Sequence, residues 1–254
     1  MAILFLDRPK AANTINLQLT IDVNDALDEL DRDPSVRCIL LTGAGDRHFC
    51  GGADLREIEQ LISPEGVVGD SRRDFISHIE EVSKPVIAVI NGAAMGGGCE
   101  IALACDFRVM ADDARIGLPE VCFGALPGGG GTQRLPRLVG LAKAKELILT
   151  GRQLSAADAL AIGLVDGTAP REQLMDAAQA MANQLADKAP YALAAGKRLL
   201  NQALELPLSE GLALERRVVR DMGTPQEREE FRERSKRASP TYESIFSPKA
   251  GANR

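Results

Sequence analysis

The stretch Val86-Ile87-Ala88-Val89-Ile90-Asn91-Gly92-Ala93-Ala94-Met95-Gly96-Gly97-Gly98-Cys99-Glu100 decides the fold. Its first five residues form a continuous apolar run, the pattern of a strand buried on both faces. Gly96-Gly97-Gly98 then lets the backbone turn tightly and come close to a ligand. Cys99 to Cys105 follows as a helix of small residues. The same order occurs upstream, where Cys38-Ile39-Leu40-Leu41-Thr42 runs into a glycine-rich loop from Gly43 to Gly52. Ile3 to Leu6 and Phe107-Arg108-Val109-Met110-Ala111 also read as strands. Leu19, Val23, Ala26, Leu27 and Leu30 give Leu17 to Asp31 a helical stripe, and Phe75, Ile79 and Val82 give another. Strand, glycine turn and helix thus alternate without a fixed period. That alternation predicts an α/β fold with parallel strands, and an all-helical bundle does not explain the strand runs.

Working outward, Leu55 to Leu61 reads as helical, and Ser63-Pro64-Glu65-Gly66 with Gly69 breaks it, marking a mobile segment. Beyond Gly140 the chain turns helical: Leu141 to Leu149, Ala156 to Ala161, Leu174 to Leu185, Tyr191 to Leu204 and Leu208 to Met222. Glu227 to Arg237 is a charged helix, and past Pro240 a loose tail is expected. Residues 1–150 are therefore assigned to an α/β core that carries the site, and 151–254 to a helical region that is not independent. Each of those helices has one modest apolar stripe, which must pack on the core or on another subunit.

The 254 residues hold 45% hydrophobic and 26% charged side chains, the balance of a globular protein rather than a disordered or membrane one. A net charge of −6 does not suit a nucleic-acid binder. The five cysteines are odd in number and show no C-x-x-C spacing. With only His48 and His78 beside them they make no zinc site, so free thiols in a reducing compartment are expected. The apolar run Ala2 to Leu6 is too short for a signal peptide or a spanning helix, so the expected location is cytoplasmic.

Two acids stand in apolar surroundings. Glu100 lies in the first turn of an apolar helix, with no Lys or Arg within a turn. Glu120 lies between Leu118-Pro119 and Val121-Cys122-Phe123. If they converge, such a pair can share a water and divide acid and base roles. The plainer alternatives are a carboxylate that only complements a helix dipole for Glu100 and the rim of a turn for Glu120. The loops Phe49-Cys50-Gly51-Gly52-Ala53-Asp54 and Gly96-Gly97-Gly98 could aim two backbone amides at one oxygen, or could simply be tight turns. A phosphate loop is disfavoured by the absence of G-x-x-x-x-G-K-[ST], and a serine hydrolase by the absence of G-x-S-x-G. Cys50 and Cys99 lie beside these loops and are read as poor nucleophiles, Cys99 having no histidine near it in sequence. Gly128-Gly129-Gly130-Gly131 reads as a turn carrying a helix close to the site, with a flexible linker as the alternative.

Together these motifs resemble the crotonase superfamily, the enoyl-CoA hydratase/isomerase group. The matching stretches are Arg8-Pro9-Lys10-Ala11-Ala12-Asn13, Phe49 to Leu55, Asn91 to Glu100, Leu118-Pro119-Glu120, and Leu126 to Leu135. The resemblance covers about Ile3 to Met222. It implies a spiral of ββα turns, followed by helices that make a trimer or a dimer of trimers. It implies an acyl-CoA thioester as substrate, with no separate cofactor and no metal, nucleic-acid or membrane partner. Ala53 and Gly97 match the two oxyanion-hole positions. Glu100 and Glu120 match the two acids of the hydratases, twenty residues apart as in that pattern. Ala53, Asp54 and Leu55 match a segment at the CoA adenine, and Lys10 and Ala11 a loop along the pantetheine and phosphates.

The activity so implied is hydration of a 2-enoyl-CoA. Glu100 takes the proton of the added water, and Glu120 delivers one to C2. An isomerase of the same fold needs one acid rather than two. An RNA-binding member carries a basic helix, whereas this chain has Lys143 and Lys145 and a net acidic charge. A non-catalytic scaffold would not need both acids and both loops. Three departures stand out: a short or absent leading hairpin strand, Gly51 where Ala is more usual, and a more charged Gln226 to Ala238. The acyl pocket is expected partly around Leu61 to Ser71.

Overall fold

The computed structural model describes residues 1–57, 62–63, 66–67 and 74–236. Strand β1 (Ala2–Leu6) leads through a 3-10 turn, Pro9–Ala11, into helix α1 (Leu17–Arg32). Next come β2 (Ile39–Gly43), β3 (His48–Cys50), the small pair β4 (Ile62–Ser63) and β5 (Gly66–Val67), and helix α2 (Phe75–Glu81). Then follow β6 (Val86–Ile90), β7 (Ala93–Met95), α3 (Gly97–Ala104), β8 (Phe107–Ala111) and β9 (Arg115–Gly117). A 3-10 turn at Glu120–Phe123 precedes α4 (Gly131–Val139) and α5 (Leu141–Thr150). The chain continues with β10 (Leu154–Ser155), α6 (Ala156–Ala161), β11 (Gly167–Ala169) and α7 (Leu174–Ala186). Helices α8 (Pro190–Asn201), α9 (Leu208–Asp221) and α10 (Pro225–Lys236) end the described chain.

Two main sheets result. One runs β1-β2-β6-β8-β11, parallel throughout. The other runs β10-β9-β7-β3, parallel except where β10 meets β9. Strands β2 and β6 are wholly buried, as their unbroken apolar runs predict. Helix α7 covers β2, β6 and β8, while α3 packs against β3, β6 and β7. Two sheet strands, β10 and β11, fall after residue 150. Helix α7 buries Leu174, Ala178, Met181 and Ala182 on the core.

Helix α3 begins at Gly97, two residues before the sequence expectation. Cys50 O lies where a side chain at 98 would sit, so glycine lets the helix start against β3. Helix α8 ends at Asn201 rather than Leu204. The helix expected from Leu55 shows turn residues at 55–57 and then passes outside the described residues. The tail past Pro240 also lies outside them, as do most of Ser63 to Gly69 and Leu61 to Ser71.

The loop before α1 is anchored by one buried side chain. Asn13 is fully buried, and its Nδ2 donates to the carbonyls of Ala44 at 3.0 Å and His48 at 2.9 Å. Its Oδ1 accepts from Arg8 N at 3.0 Å. These bonds hold Ala12 and Asn13 in the left-handed region, at φ 52° and 54°. Asn13→Ala orphans three backbone groups, each costing ~1–3 kcal/mol when buried. After partial relaxation it should destabilise the protein by about 2–4 kcal/mol. A urea melt showing an unchanged midpoint would contradict that role.

Candidate active site

Glu100 sits in the first turn of α3 and is 3% exposed. Its Oε1 accepts from the amides of Gly129 and Gly131, both at 2.8 Å. The N-terminus of α4 is thus turned onto this carboxylate, where its unpaired amides and dipole favour negative charge. Burial nevertheless pushes the Glu100 pKa up, and the two amides oppose the rise. Oε1 is occupied by these bonds. No hydrogen bond engages Oε2 among the described residues, which leaves it able to take a proton or a water.

Glu120 opens the 3-10 turn that follows β9. Its Oε2 is buried without a hydrogen-bond partner. Burial is the main cause of its raised pKa, and the charge of Glu100 pushes in the same direction. A buried acceptor left unpaired is costly, so such groups mark places that await a ligand or store strain. The Glu120 carboxyl lies beside the glycine turn: a Cβ on Gly96 would stand 3.2 Å from its Oε1. Gly96 has φ 53°, and its N–H donates to Gly117 O, tying the turn to β9.

The two glycine loops meet at this turn. A Cβ on Gly97 would stand 3.6 Å from Ala53 N, and one on Gly52 would stand 3.3 Å from Gly97 N. Neither the Ala53 nor the Gly97 amide donates to a backbone acceptor among the described residues. The neighbouring amides are used, since Ile15 N donates to Gly52 O and Asp54 N to Ile15 O, both at 2.8 Å. Ala53 N is thereby turned to the opposite side from Ile15, toward the start of α3.

The remaining sequence candidates lie on the adjoining loop. Gly51 N donates to Ala12 O at 2.9 Å, which draws the Lys10–Ala11 turn beside the 51–55 segment. Asp54 pairs with Arg8 at 3.0 Å, so its carboxylate anchors the loop. The backbone N–H of Arg56 is the largest cause holding the Asp54 carboxyl below its usual range. Leu55 is 74% exposed and Lys10 is exposed. Burial pushes the Cys50 thiol up to about 12 and raises Cys99 as well. Neither is poised as a thiolate nucleophile. A cavity of about 960 Å³ lies elsewhere, between α2, α8 and α9, and none of Ala53, Gly97, Glu100 or Glu120 lines it.

The sequence model of the enoyl-CoA hydratase/isomerase family matches residues 1–243. The chain belongs to the enoyl-CoA hydratase/isomerase family. It is 40% identical over 216 residues to the short-chain-enoyl-CoA hydratase of Clostridium acetobutylicum, covering 85% of this chain and 83% of that one. It is 38% identical to the crotonyl-CoA hydratase of Syntrophomonas wolfei over the same shares of the two chains. Among solved structures it is similar to an enoyl-CoA hydratase from Bacillus anthracis, at 36% identity, TM-score 0.80 and 94% of both chains. An enoyl-CoA hydratase structure from Geobacillus kaustophilus gives TM-score 0.83 at 33% identity, over 95% of this chain and 94% of that one.

The crotonase fold expected from the motifs is therefore the fold observed. In this member of the family the Glu120 carboxyl lies against the Gly96 turn, which the 52–53 segment also approaches, while the Glu100 carboxylate is held by the Gly129–Gly131 segment. Sequence reasoning missed the amides of Gly129 and Gly131. The signal was the run Gly128 to Gly131, which reads as a structural turn until its facing carboxylate is known. No helix among the described residues is long and apolar enough to cross a membrane.

Proposed function

We propose that the protein is an enoyl-CoA hydratase that adds water reversibly across the 2,3 double bond of a 2-enoyl-CoA thioester. One observation carries the reading. The half-buried Glu120 carboxyl, its Oε2 without a hydrogen-bond partner, lies against the Gly96 turn where the free amides of Ala53 and Gly97 come near each other, and the charge of the buried Glu100 carboxylate acts on it. The names of the relatives, hydratases of short-chain and crotonyl thioesters, point the same way.

In this reading the Ala53 and Gly97 amides hold the thioester oxygen. Negative charge reaches that oxygen as the enolate develops, so donors fixed in advance favour the transition state. The unequal settings of the acids suggest their roles. Glu100, with two N–H donors on Oε1, is the member better suited to be ionised. Glu120, with no donor on Oε2, is better suited to hold the shared proton. Water gives a proton to Glu100 as its oxygen bonds to C3. The π electrons move toward C2 and the thioester oxygen. Glu120 then gives its proton to C2, and the proton on Glu100 returns to Glu120 through the next water.

Lys10, Ala11, Ala53, Asp54 and Leu55 are proposed to line the coenzyme A moiety, since the Gly51–Ala12 bond brings their loops together. A trimer or dimer of trimers is also proposed. Leu200, Leu204 and Leu208 expose apolar surface on and beside α8 and α9. A monomer in sedimentation would contradict it. A cytoplasmic location belongs to the same reading, and the five cysteines are all free.

The deciding experiment is an absorbance assay with 2-enoyl-CoA esters of increasing chain length, run beside a 3-enoyl-CoA. Loss of the 2-enoyl chromophore supports hydration. Turnover of the 3-enoyl ester alone would replace it with isomerisation.

A further inference from the structure

We propose that Arg134 is a positioning residue for Glu100: it pins the peptide between Gly129 and Gly130, so that the two flanking amides stay aimed at the carboxylate. The proposal rests on the acid–base reading above.

Arg134 lies in the first turn of α4, and its side chain is 16% exposed. Its guanidinium forks onto Glu80 of α2, with Nε at 2.8 Å from Oε1 and Nη2 at 2.7 Å from Oε2. Nη2 also reaches Ser77 Oγ at 3.3 Å. The remaining contact points backward, with Nη1 donating to Gly129 O at 2.7 Å. That carbonyl belongs to the peptide joining 129 to 130. The amides of Gly129 and Gly131, which hold Glu100 Oε1, lie on either side of it. With one end of the guanidinium clamped on α2, the other fixes the rotation of this peptide.

Three further observations fit a fixed peptide rather than a chance ion pair. Gly130 has φ 100°, and a Cβ there would stand 1.9 Å from Arg134 Nη1, so the guanidinium occupies the space a side chain would need. A Cβ on Gly129 would stand 2.8 Å from Glu100 Oε2 and 2.7 Å from Ile76 Cδ1, so backbone is held close on the acid's side too. The charge of Arg134 also favours ionised Glu100. Salt bridges open to water contribute little to stability. A bidentate fork at a mostly buried arginine, with a third bond to backbone, instead supplies geometric precision.

The test uses the full-length protein with Arg134→Gln, Arg134→Lys and Glu80→Gln. Loosening the 129–131 loop should lower kcat on crotonyl-CoA roughly tenfold to a hundredfold, the cost of a small misplacement of a reacting group. KM should stay nearly unchanged. Lys can make one of these bonds but not the fork, so it should restore part of kcat.

The second readout needs no activity: the titration of Glu100, followed by carbonyl-carbon NMR of labelled glutamate and assigned with Glu100→Gln. Charged or titratable groups facing Glu100 are Asp74 at the start of α2, Arg134 of α4, Glu120, and the thiol of Cys99 in α3, which burial keeps protonated. Arg134→Gln removes a favourable charge and relaxes two N–H donors, so the Glu100 midpoint should move upward, with Lys intermediate. A folded Arg134→Gln or Glu80→Gln protein with wild-type kcat and an unmoved Glu100 midpoint overturns the proposal. So does a lower melting temperature with both readouts unchanged, which would mean a structural ion pair. If Arg134→Gln does not fold, the other two variants decide by the same readouts. A wild-type protein inactive on every 2-enoyl-CoA sinks the hydratase reading alone, and the Glu100 midpoint still decides the role of Arg134.

Discussion

Glu100→Gln and Glu120→Gln each lower kcat for crotonyl-CoA hydration by about 10²–10⁴-fold, the usual contribution of a placed acid or base, while CoA-ester binding survives. The amide keeps the size of the side chain but can neither take nor give the proton. The same variants should make the protein more stable at pH 8. Both glutamates are held above the usual carboxylate range, chiefly by burial. A folded state whose carboxyl pKa is raised binds more protons than the unfolded chain. Stability therefore falls as pH climbs from the unfolded value of about 4.3 through the folded values, and the loss is complete above them. Glutamine carries no charge to desolvate, so this loss disappears. A higher melting temperature at pH 8 with activity gone would show the conflict between function and stability directly. Wild-type turnover in either variant overturns the acid–base assignment. The raised pKa values also place the acidic limb of kcat/KM above the range of an ordinary glutamate, because the ionised base is lost on acidification.

Gly98→Ala should be the most disruptive single methyl group in the core of the site. In an open helix position this change gains up to about 1 kcal/mol. Here the new Cβ would lie 2.1 Å from Cys50 O and 2.8 Å from Cys50 C, both backbone atoms of β3. Neither can rotate away, so α3 must shift from β3. We expect a loss of about 3 kcal/mol or more, at or beyond the upper end of ordinary overpacking. Hydration should fall with it, since the shift separates the Gly97 amide from Ala53. Gly196→Ala in α8 is the control, because nothing lies within 4 Å of its Cβ position. It should leave stability unchanged or raise it by up to about 1 kcal/mol. Chemical denaturation of both variants checks the pair, and equal midpoints would contradict the clash.

Much of the strand and helix pattern was readable from local sequence. Val86 to Ile90 and Phe107 to Ala111 coincide with their expected strands. An apolar run flanked by glycine carries its own signal, whatever it packs against. Glu100 and Glu120 stood out for an equally local reason, as acids with apolar neighbours in sequence. That reasoning failed where partners are distant. Glu100 has no cation within a turn, yet amides 29 and 31 residues away hold it. Arg134 is clamped by Glu80, 54 residues back.

The chain order of apolar runs and glycines was enough to establish an α/β fold with parallel strands, and to single out two acids and two amide-bearing turns. Tertiary structure alone decided that Glu120 lies against the turn at Gly96, and that α4 points its first amides at Glu100. The physical reason is range. Backbone turning and burial are set by neighbours in sequence, whereas the direction of a carboxylate depends on sheet packing and crossovers that join distant residues.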